Sequence, residues 1–555
     1  MNNWRHKVRL TTVCFFFGFI LIALIWRMYE LTVEDRQFLQ GQGNARSLRM
    51  VDIPAYRGMI TDREGAPMAV STPVKSVWIN PKSFQPTPEQ LNQLAKLLSL
   101  TPEQIARRAS EESSREFIYL RRQLTPSLAK KIDALKIPGV NFQEEFKRFY
   151  PQGDSAAQLI GFTNVDDNGI EGLELAYHQW LMGISGKIKV VKDRLGRIIE
   201  VLGQVREPRP GNNLQLSIDR RIQYFAYNAL CETIHHAEAK SGSIVVLDAK
   251  NGEVLAITNC PSFNPNARSY YPSDHYRNRA ITDLFEPGSV MKPFSIASAL
   301  ESGHFTKDTV IDTRPSWMMV EGHAIRDGRN YGVLDVTGIL QHSSNVGVTK
   351  MVLASPPEQL IHLLRACGVS QRTETGYPGE SEGSLVKAKD ANRFVLATLG
   401  FGYGMSLTPL QLAKSYLIFA NEGKIMPVRL LHYDKPPETH QVIKPETAEV
   451  VLSMMEAVVD VQGTGRRAKV PGYRVAGKTG TARIAGKKGY SADRHIASFV
   501  GIAPVSNPRL IVAVVIHEPS KGSYYGGALA APLFAKVMAA ALRILDIPPD
   551  EATRI

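Results

Sequence analysis

Three short clusters in the second half of the 555-residue chain combine residue types that could share one reaction. The first is Glu286-Pro287-Gly288-Ser289-Val290-Met291-Lys292-Pro293. Serine and lysine three residues apart on a helix lie on one face. A helix beginning near Ser289 also accommodates Pro293, because the first helical N–H groups have no partner in any case. Serine is a poor nucleophile until a base takes its proton, and a neutral lysine one turn away can do so if burial and nearby cations depress its pKa. The second cluster is Ser343-Ser344-Asn345, where a hydroxyl and an amide on a loop or helix end could relay a proton or hold a substrate amide. The third is Lys478-Thr479-Gly480-Thr481. On an edge strand it would offer an ammonium and hydroxyls, with Gly480 letting a substrate backbone approach. Each has a bland reading when taken singly: a surface helix, a turn capped by Ser344 or Asn345, and a strand with its lysine in solvent.

The elements that must position these clusters read as an α+β domain over residues 216–547. An amphipathic helix, Ile218 to Lys240, opens it. Two strands follow, Ser243 to Asp248 and Glu253 to Thr258, joined across Asn251-Gly252, the strongest short hairpin signal. Arg474 to Ala482, His495 to Ala503 and Leu510 to His517 read as three more strands, and Ala531 to Leu545 as a closing helix. Five strands at the two ends with a helical insertion between them predict one antiparallel sheet flanked by helices. Thr408-Pro409-Leu410-Gln411 starts a helix within that insertion, with a full capping box.

Residues 28–215 read as a mixed α/β pedestal without a catalytic cluster. Thr87-Pro88-Glu89-Gln90, Thr101-Pro102-Glu103-Gln104 and Thr125-Pro126 are helix starts, with threonine as cap and proline at the first helical position. Before them, Leu10 to Trp26 is uncharged and near the lower length limit for a spanning helix. Arg5, Lys7 and Arg9 precede it and Glu30, Glu34 and Asp35 follow, so the positive-inside rule keeps residues 1–9 in the cytoplasm and exports the rest. No small-x-small site follows the run, so an uncleaved anchor over residues 10–27 is expected rather than a signal peptide. Residues 548–555 form a short tail.

In their order S-x-x-K, S-x-N and K-T-G, the three clusters resemble the penicillin-interacting acyl-serine transferases. Nearly the whole chain is similar to the class B penicillin-binding proteins, in particular their septal branch in Gram-negative bacteria and its paralogues. The matching blocks are Arg57 to Arg63, Gly161 to Val165, Gly169 to Gly172, Lys192-Asp193-Arg194, Phe285 to Lys292, Ser343 to Gly347, Gly402-Tyr403-Gly404 and Tyr524 to Gly527. The resemblance implies a D,D-transpeptidase. Ser289 would attack the carbonyl between the terminal D-alanines of a peptidoglycan stem peptide, with Lys292 as base. Ser343 would pass a proton to the leaving amine and Asn345 would hold the acyl chain's amide. The backbone N–H groups of Ser289 and Thr481 would form the oxyanion hole. Lys478, Thr479 and Thr481 would bind the terminal carboxylate, one of them indirectly. β-Lactams would stall the enzyme as an acyl-enzyme, and neither metal nor cofactor is implied. The implied partners are a polytopic glycan polymerase and division proteins, and the implied place is the inner membrane with a periplasmic catalytic domain. A carboxypeptidase or β-lactam hydrolase would use the same clusters, letting water finish. A mainly structural division protein would not need Ser289, Lys292 and Lys478.

Composition bounds the reading without choosing it. Lys and Arg number 66 against 53 Asp and Glu, a net charge of +13. An exported chain has no nucleic-acid partner, so the surplus reads as a surface facing anionic lipid and wall polymer. Hydrophobic residues at 44% and charged residues at 21% exclude wholesale disorder and a polytopic membrane chain. Cys14, Cys231, Cys260 and Cys367 form no metal or redox spacing and are expected as free, buried thiols. Adjacent His235 and His236 point about 100° apart on a helix and are expected in solvent. Glu34-Asp35-Arg36-Gln37-Phe38 mimics the opening of a glycosyltransferase motif. Gly41 stands where that motif needs histidine, so a polar juxtamembrane helix is expected.

Overall fold

The structure, a computed structural model, describes residues 2–112, 114–193, 198–486 and 489–551. Arg194 of one quoted block and residues 552–555 of the tail lie outside the described residues. The chain divides into two compact units: Met1–Tyr56, Pro73–Lys147 and Gly183–Gly211 form the first, and Arg57–Thr72, Arg148–Met182 and Asn212–Ile555 the second.

The first unit starts with the helix Asn2–Tyr29, whose apolar side chains, Phe15, Phe16, Phe17 and Trp26 among them, are exposed. Such a surface costs free energy in water and none in hydrocarbon, so the helix fits a membrane anchor. The glycosyltransferase-like segment runs into a short polar helix, Arg36–Ser47. Three helices, Pro88–Leu98, Pro102–Glu111 and Pro126–Asp133, begin where the threonine–proline pairs place them, and the first two carry complete capping boxes closed by Gln90 and Gln104. They bury Leu94, Leu98, Ile105 and Ile132 with Val77, Ile79 and Leu120 in a small core. Leu48–Ile53, Gly186–Lys192 and Ile198–Arg206 form a separate three-stranded antiparallel sheet in that order.

In the second unit we label the elements that carry the site. α1 (Arg220–His236) precedes the hairpin β1 (Ser241–Asp248) and β2 (Val254–Cys260). The insertion holds α2 (Lys292–Glu301), α3 (Asn345–Ala354), α4 (Pro409–Ser415) and α5 (Pro445–Val459). β3 (Ala476–Gly486), β4 (Gly489–Ala503), β5 (Leu510–His517) and α6 (Gly526–Ile544) close the unit. The sheet runs β2-β1-β5-β4-β3, antiparallel throughout, so first and last strands of the domain meet at β1 and β5 with Ser241 opposite His517. This is the expected α+β sheet. Both of its faces are buried, which is why β1, β2 and β5 are continuous apolar runs rather than alternating ones. α6 is apolar enough to span a membrane but is a core helix, with Phe534, Val537 and Leu542 buried against the sheet's residues Phe499 and Val514. Thr408 caps α4 with Gln411, as its sequence requires.

Two segments from within the expected pedestal, Arg57–Thr72 and Arg148–Met182, belong to the second unit. Glu174, fully buried, binds the Nε atoms of Arg57 and Arg148, each at 2.6 Å. Ile60, Met68, Leu159 and Leu173 join the core containing Val245 and Phe294. Removing one partner of a buried pair strands a charge, so this cluster locks the two segments to one another.

The expectation of free thiols fails for two of the four cysteines. Cys231 and Cys260 form a disulfide with a Cα–Cα distance of 5.5 Å, because α1 packs across β2 and brings together residues 29 positions apart. Cys367 is free and buried, and Cys14 is free and exposed. His235 and His236 are exposed at the end of α1.

Candidate active site

Ser289 lies in a single 3₁₀ turn, Gly288–Met291, that runs directly into α2, so Lys292 is the first residue of the helix proper. The turn needs glycine at its start, where φ is +63°. A second glycine holds it: Gly288 N–H donates to Gly402 O at 3.0 Å, and a Cβ on Gly402 would lie 2.0 Å from Gly288 O. The Gly402-Tyr403-Gly404 block is thus a backbone brace for the serine turn. Gly404 N–H also donates to Glu286 Oε1 at 2.9 Å.

All three sequence clusters meet at the Ser343 hydroxyl. Lys292 Nζ donates to Ser343 Oγ at 3.1 Å, to Ser343 O at 2.6 Å and to Asn345 Oδ1 at 2.7 Å. Lys478 Nζ reaches the same Oγ at 3.0 Å and also contacts Thr479 O at 3.1 Å. Both lysines are fully buried. Burial pushes Lys292 down to about 7, against the opposing charge of Asp327. Burial also drives Lys478 well below the usual lysine range, and the charge of Lys292 drives it further. Two ammonium groups sharing one hydroxyl in a desolvated site cannot both hold their protons cheaply, so the pair titrates as a unit with one member neutral near pH 7.

Local backbone explains why Ser343 can serve both lysines. It adopts φ +59°, a left-handed conformation that costs a non-glycine residue about 1 kcal/mol or more. Ser344 then caps α3, accepting from Gly347 N–H at 2.9 Å. Capping is therefore the role of Ser344, while Ser343 and Asn345 on either side face Lys292. Asn345 also donates from Nδ2 to Arg326 O at 2.9 Å, so both ends of its amide are engaged. Beyond it stands Asp327, whose carboxylate accepts from Ser344 Oγ at 2.6 Å and from the N–H groups of Asn345 at 2.5 Å and Val346 at 3.0 Å. An anion at a helix N-terminus is favoured by the unpaired N–H groups and the dipole.

β3 is the edge strand, as expected for the Lys478 cluster. Thr479 Oγ1 donates to Thr464 Oγ1 at 3.0 Å, and Thr481 Oγ1 accepts from Gly526 N–H at 3.0 Å. Gly480 also meets a packing constraint. Its Cβ would point inward, 2.3 Å from Ser498 Oγ and 3.0 Å from Pro287 O, so glycine here lets β3 press against the serine turn. Ser289, Ser343, Thr464, Thr479, Thr481 and Tyr525 line a cavity of about 500 Å³.

Comparison with known proteins agrees with this arrangement. Residues 242–539 match the penicillin binding protein transpeptidase domain, and residues 52–216 the penicillin-binding protein dimerisation domain. The chain is 40% identical over 556 residues to the peptidoglycan D,D-transpeptidase FtsI of Escherichia coli K12, covering 99% of this chain and 93% of that relative. The chain belongs to the class B penicillin-binding proteins. The probable peptidoglycan D,D-transpeptidase PbpC of Pseudomonas aeruginosa is similarly close, 39% identical over 550 residues, 99% of this chain and 97% of that one. Among solved structures, penicillin-binding protein 3 of Mycobacterium tuberculosis in complex with aztreonam superposes with a TM-score of 0.71 at 27% identity, over 90% of this chain and 98% of its own. The transpeptidase domain of Burkholderia pseudomallei penicillin-binding protein 3 gives 0.57 at 39% identity, over 61% and 98%.

In this class B penicillin-binding protein, Asp327 and Thr464 join the site without a sequence signal that marks them. Asp327 follows a short strand, His323–Arg326, with no spacing that ties it to Ser343. Thr464 sits in Gly463-Thr464-Gly465, a small-residue turn with the marks of an ordinary loop.

Proposed function

We propose that this class B penicillin-binding protein is a peptidoglycan D,D-transpeptidase that cross-links stem peptides through an acyl-enzyme on Ser289. The observation that carries the reading is the convergence of Lys292 and Lys478 on the Ser343 hydroxyl beside the cavity that Ser289 lines. With its pKa near 7, Lys292 is neutral often enough to take the Ser289 proton. Ser289 Oγ then attacks the penultimate D-alanine carbonyl, with the N–H groups of Ser289 and Thr481 stabilising the oxyanion. Ser343 relays the proton to the departing D-alanine amine. Thr479 and Thr481 meet the terminal carboxylate directly, and Lys478, buried beneath them, acts indirectly through its hydrogen bonds to Ser343 Oγ and Thr479. Asn345 positions Lys292 and the acyl chain. An amine of a second stem resolves the ester.

The basic residues Arg5, Lys7 and Arg9 before the exposed apolar helix support a single-pass anchor with its N-terminus in the cytoplasm and the catalytic unit in the periplasm. The full-length likeness to FtsI supports work at the division septum beside a glycan polymerase and division proteins. The test is the purified full-length chain given glycan strands bearing D-Ala-D-Ala stems. Transpeptidation releases one D-alanine per cross-link formed, and a β-lactam blocks both. Release of D-alanine without cross-links would make the protein a carboxypeptidase.

A further inference from the structure

A second cavity, of about 660 Å³, lies between α5 and the start of β3 and shares two lining residues, Arg466 and Arg467, with the cavity containing Ser289. These arginines occupy the short 3₁₀ turn Arg466–Ala468 that follows Thr464. The other bases of the second cavity are neutralised, Arg474 by Glu456 at 2.7 Å and Lys469 by Glu551 at 3.3 Å. Arg466 and Arg467 are exposed and form no ion pair among the described residues. Arg467 makes one long hydrogen bond, from Nη1 to Ala528 O at 3.4 Å. Asp460 is the remaining acid of the lining, and its Oδ1 accepts from Val461 N–H at 2.7 Å. A free guanidinium pair at the junction of two hollows, one of which contains the nucleophile, is a recognition element for a carboxylate, which a planar fork binds bidentately.

We propose that the second cavity seats the acceptor of the transfer, a peptide bearing a free amine and a nearby carboxylate, and that Arg466 and Arg467 bind that carboxylate. The inference rests on the acyl-transfer reading of Ser289 and extends it to the second substrate. The donor's terminal carboxylate goes to Thr479 and Thr481 and leaves with D-alanine, so it does not compete for the arginines. With the acceptor seated, its uncharged amine attacks the acyl carbonyl. The new C–N bond forms, the ester bond to Ser289 Oγ breaks, and the amine's proton returns to Oγ. No other reactant is needed. The proposal also separates cross-linking from hydrolysis: water needs no arginine, whereas an anionic acceptor does.

The test measures how the acyl-enzyme formed from a D-Ala-D-Ala thioester donor partitions between water and an added amine. Two acceptors are compared, one with a free carboxylate beside its amine and one with that carboxylate converted to an amide. The wild type should use the free acid at about tenfold lower concentration than the amide, the value of one charge-assisted contact, and high salt should narrow the difference. In Arg466→Gln/Arg467→Gln the two acceptors should become equivalent. Equal use of both acceptors by the wild type, or an undiminished preference in the double variant, overturns the proposal. Loss of both acceptors alike in the variant also overturns it, as that reports general damage to the cavity. If the wild type forms no acyl-enzyme at all, the reading of Ser289 fails first, a result distinct from the absence of acceptor discrimination.

Discussion

Protonation of Lys292 should govern how fast Ser289 is acylated. The lysine is fully buried, and burial brings it down to about 7. A protonated Lys292 cannot accept the serine proton, so the reactive fraction rises with pH. With a midpoint near 7, about half the molecules are competent at pH 7, roughly one in ten at pH 6 and roughly one in a hundred at pH 5. From pH 7 to 9 the gain is only about twofold. Stopped-flow acylation by a fluorescent penicillin, at saturating ratio and across pH 5–9, reads this limb directly. Because Lys478 shares the Ser343 hydroxyl, the midpoint belongs to the lysine pair. Asp327→Asn gives the internal control. The Asp327 charge raises the Lys292 pKa, so removing it should move the limb to lower pH when each profile is normalised to its own plateau. Asparagine keeps one carbonyl oxygen for the N–H groups of Asn345 and Val346, so the cap survives in part. A rate independent of pH between 5 and 8, or a limb displaced upward in Asp327→Asn, would refute the reasoning.

Three further outcomes follow from packing. Gly480→Ala should force β3 away from Ser498 and Pro287, cutting acylation far more than its stability cost of about 1–3 kcal/mol, measured by thermal melting beside penicillin labelling. Cys231→Ser should lower stability by about 3–4 kcal/mol from the lost loop constraint, and thiol titration of the unfolded wild type should find only Cys14 and Cys367 reactive. Glu174→Ala removes the carboxylate shared by two buried guanidinium groups and should cost about 3–5 kcal/mol, whereas Glu174→Gln, which keeps one of the two acceptor oxygens, should cost less.

The parts that were legible in the sequence are those encoded over short spans. Thr87, Thr101 and Thr408 each find their glutamine three residues on, so a capping box needs no knowledge of the rest of the chain. The β1–β2 hairpin is written in Asn251-Gly252, and the three C-terminal strands in their apolar runs. The parts that were not legible depend on partners far along the chain. The Cys231–Cys260 bond needs the angle at which α1 crosses β2. The attachment of Arg57–Thr72 and Arg148–Met182 to the second unit depends on Ile60, Met68, Leu159 and Leu173 reaching a core built by residues far along the chain, while Glu174 ties the two segments to one another. Asp327 meets Ser344 and Asn345 only because the strand before it returns to the start of α3. Gly480 adds a packing constraint that has no local signature, since on the inward side of the strand a Cβ would lie 2.3 Å from Ser498 Oγ.

The claim that Ser289 is the acylated residue can be tested by mass spectrometry of the full-length protein. After brief exposure to a β-lactam, or to a D-Ala-D-Ala thioester donor, the intact mass should rise by one acyl group. Peptide mapping should place that group on Ser289, with Ser289→Ala showing none. An adduct on another residue, or one that persists in Ser289→Ala, would contradict the account.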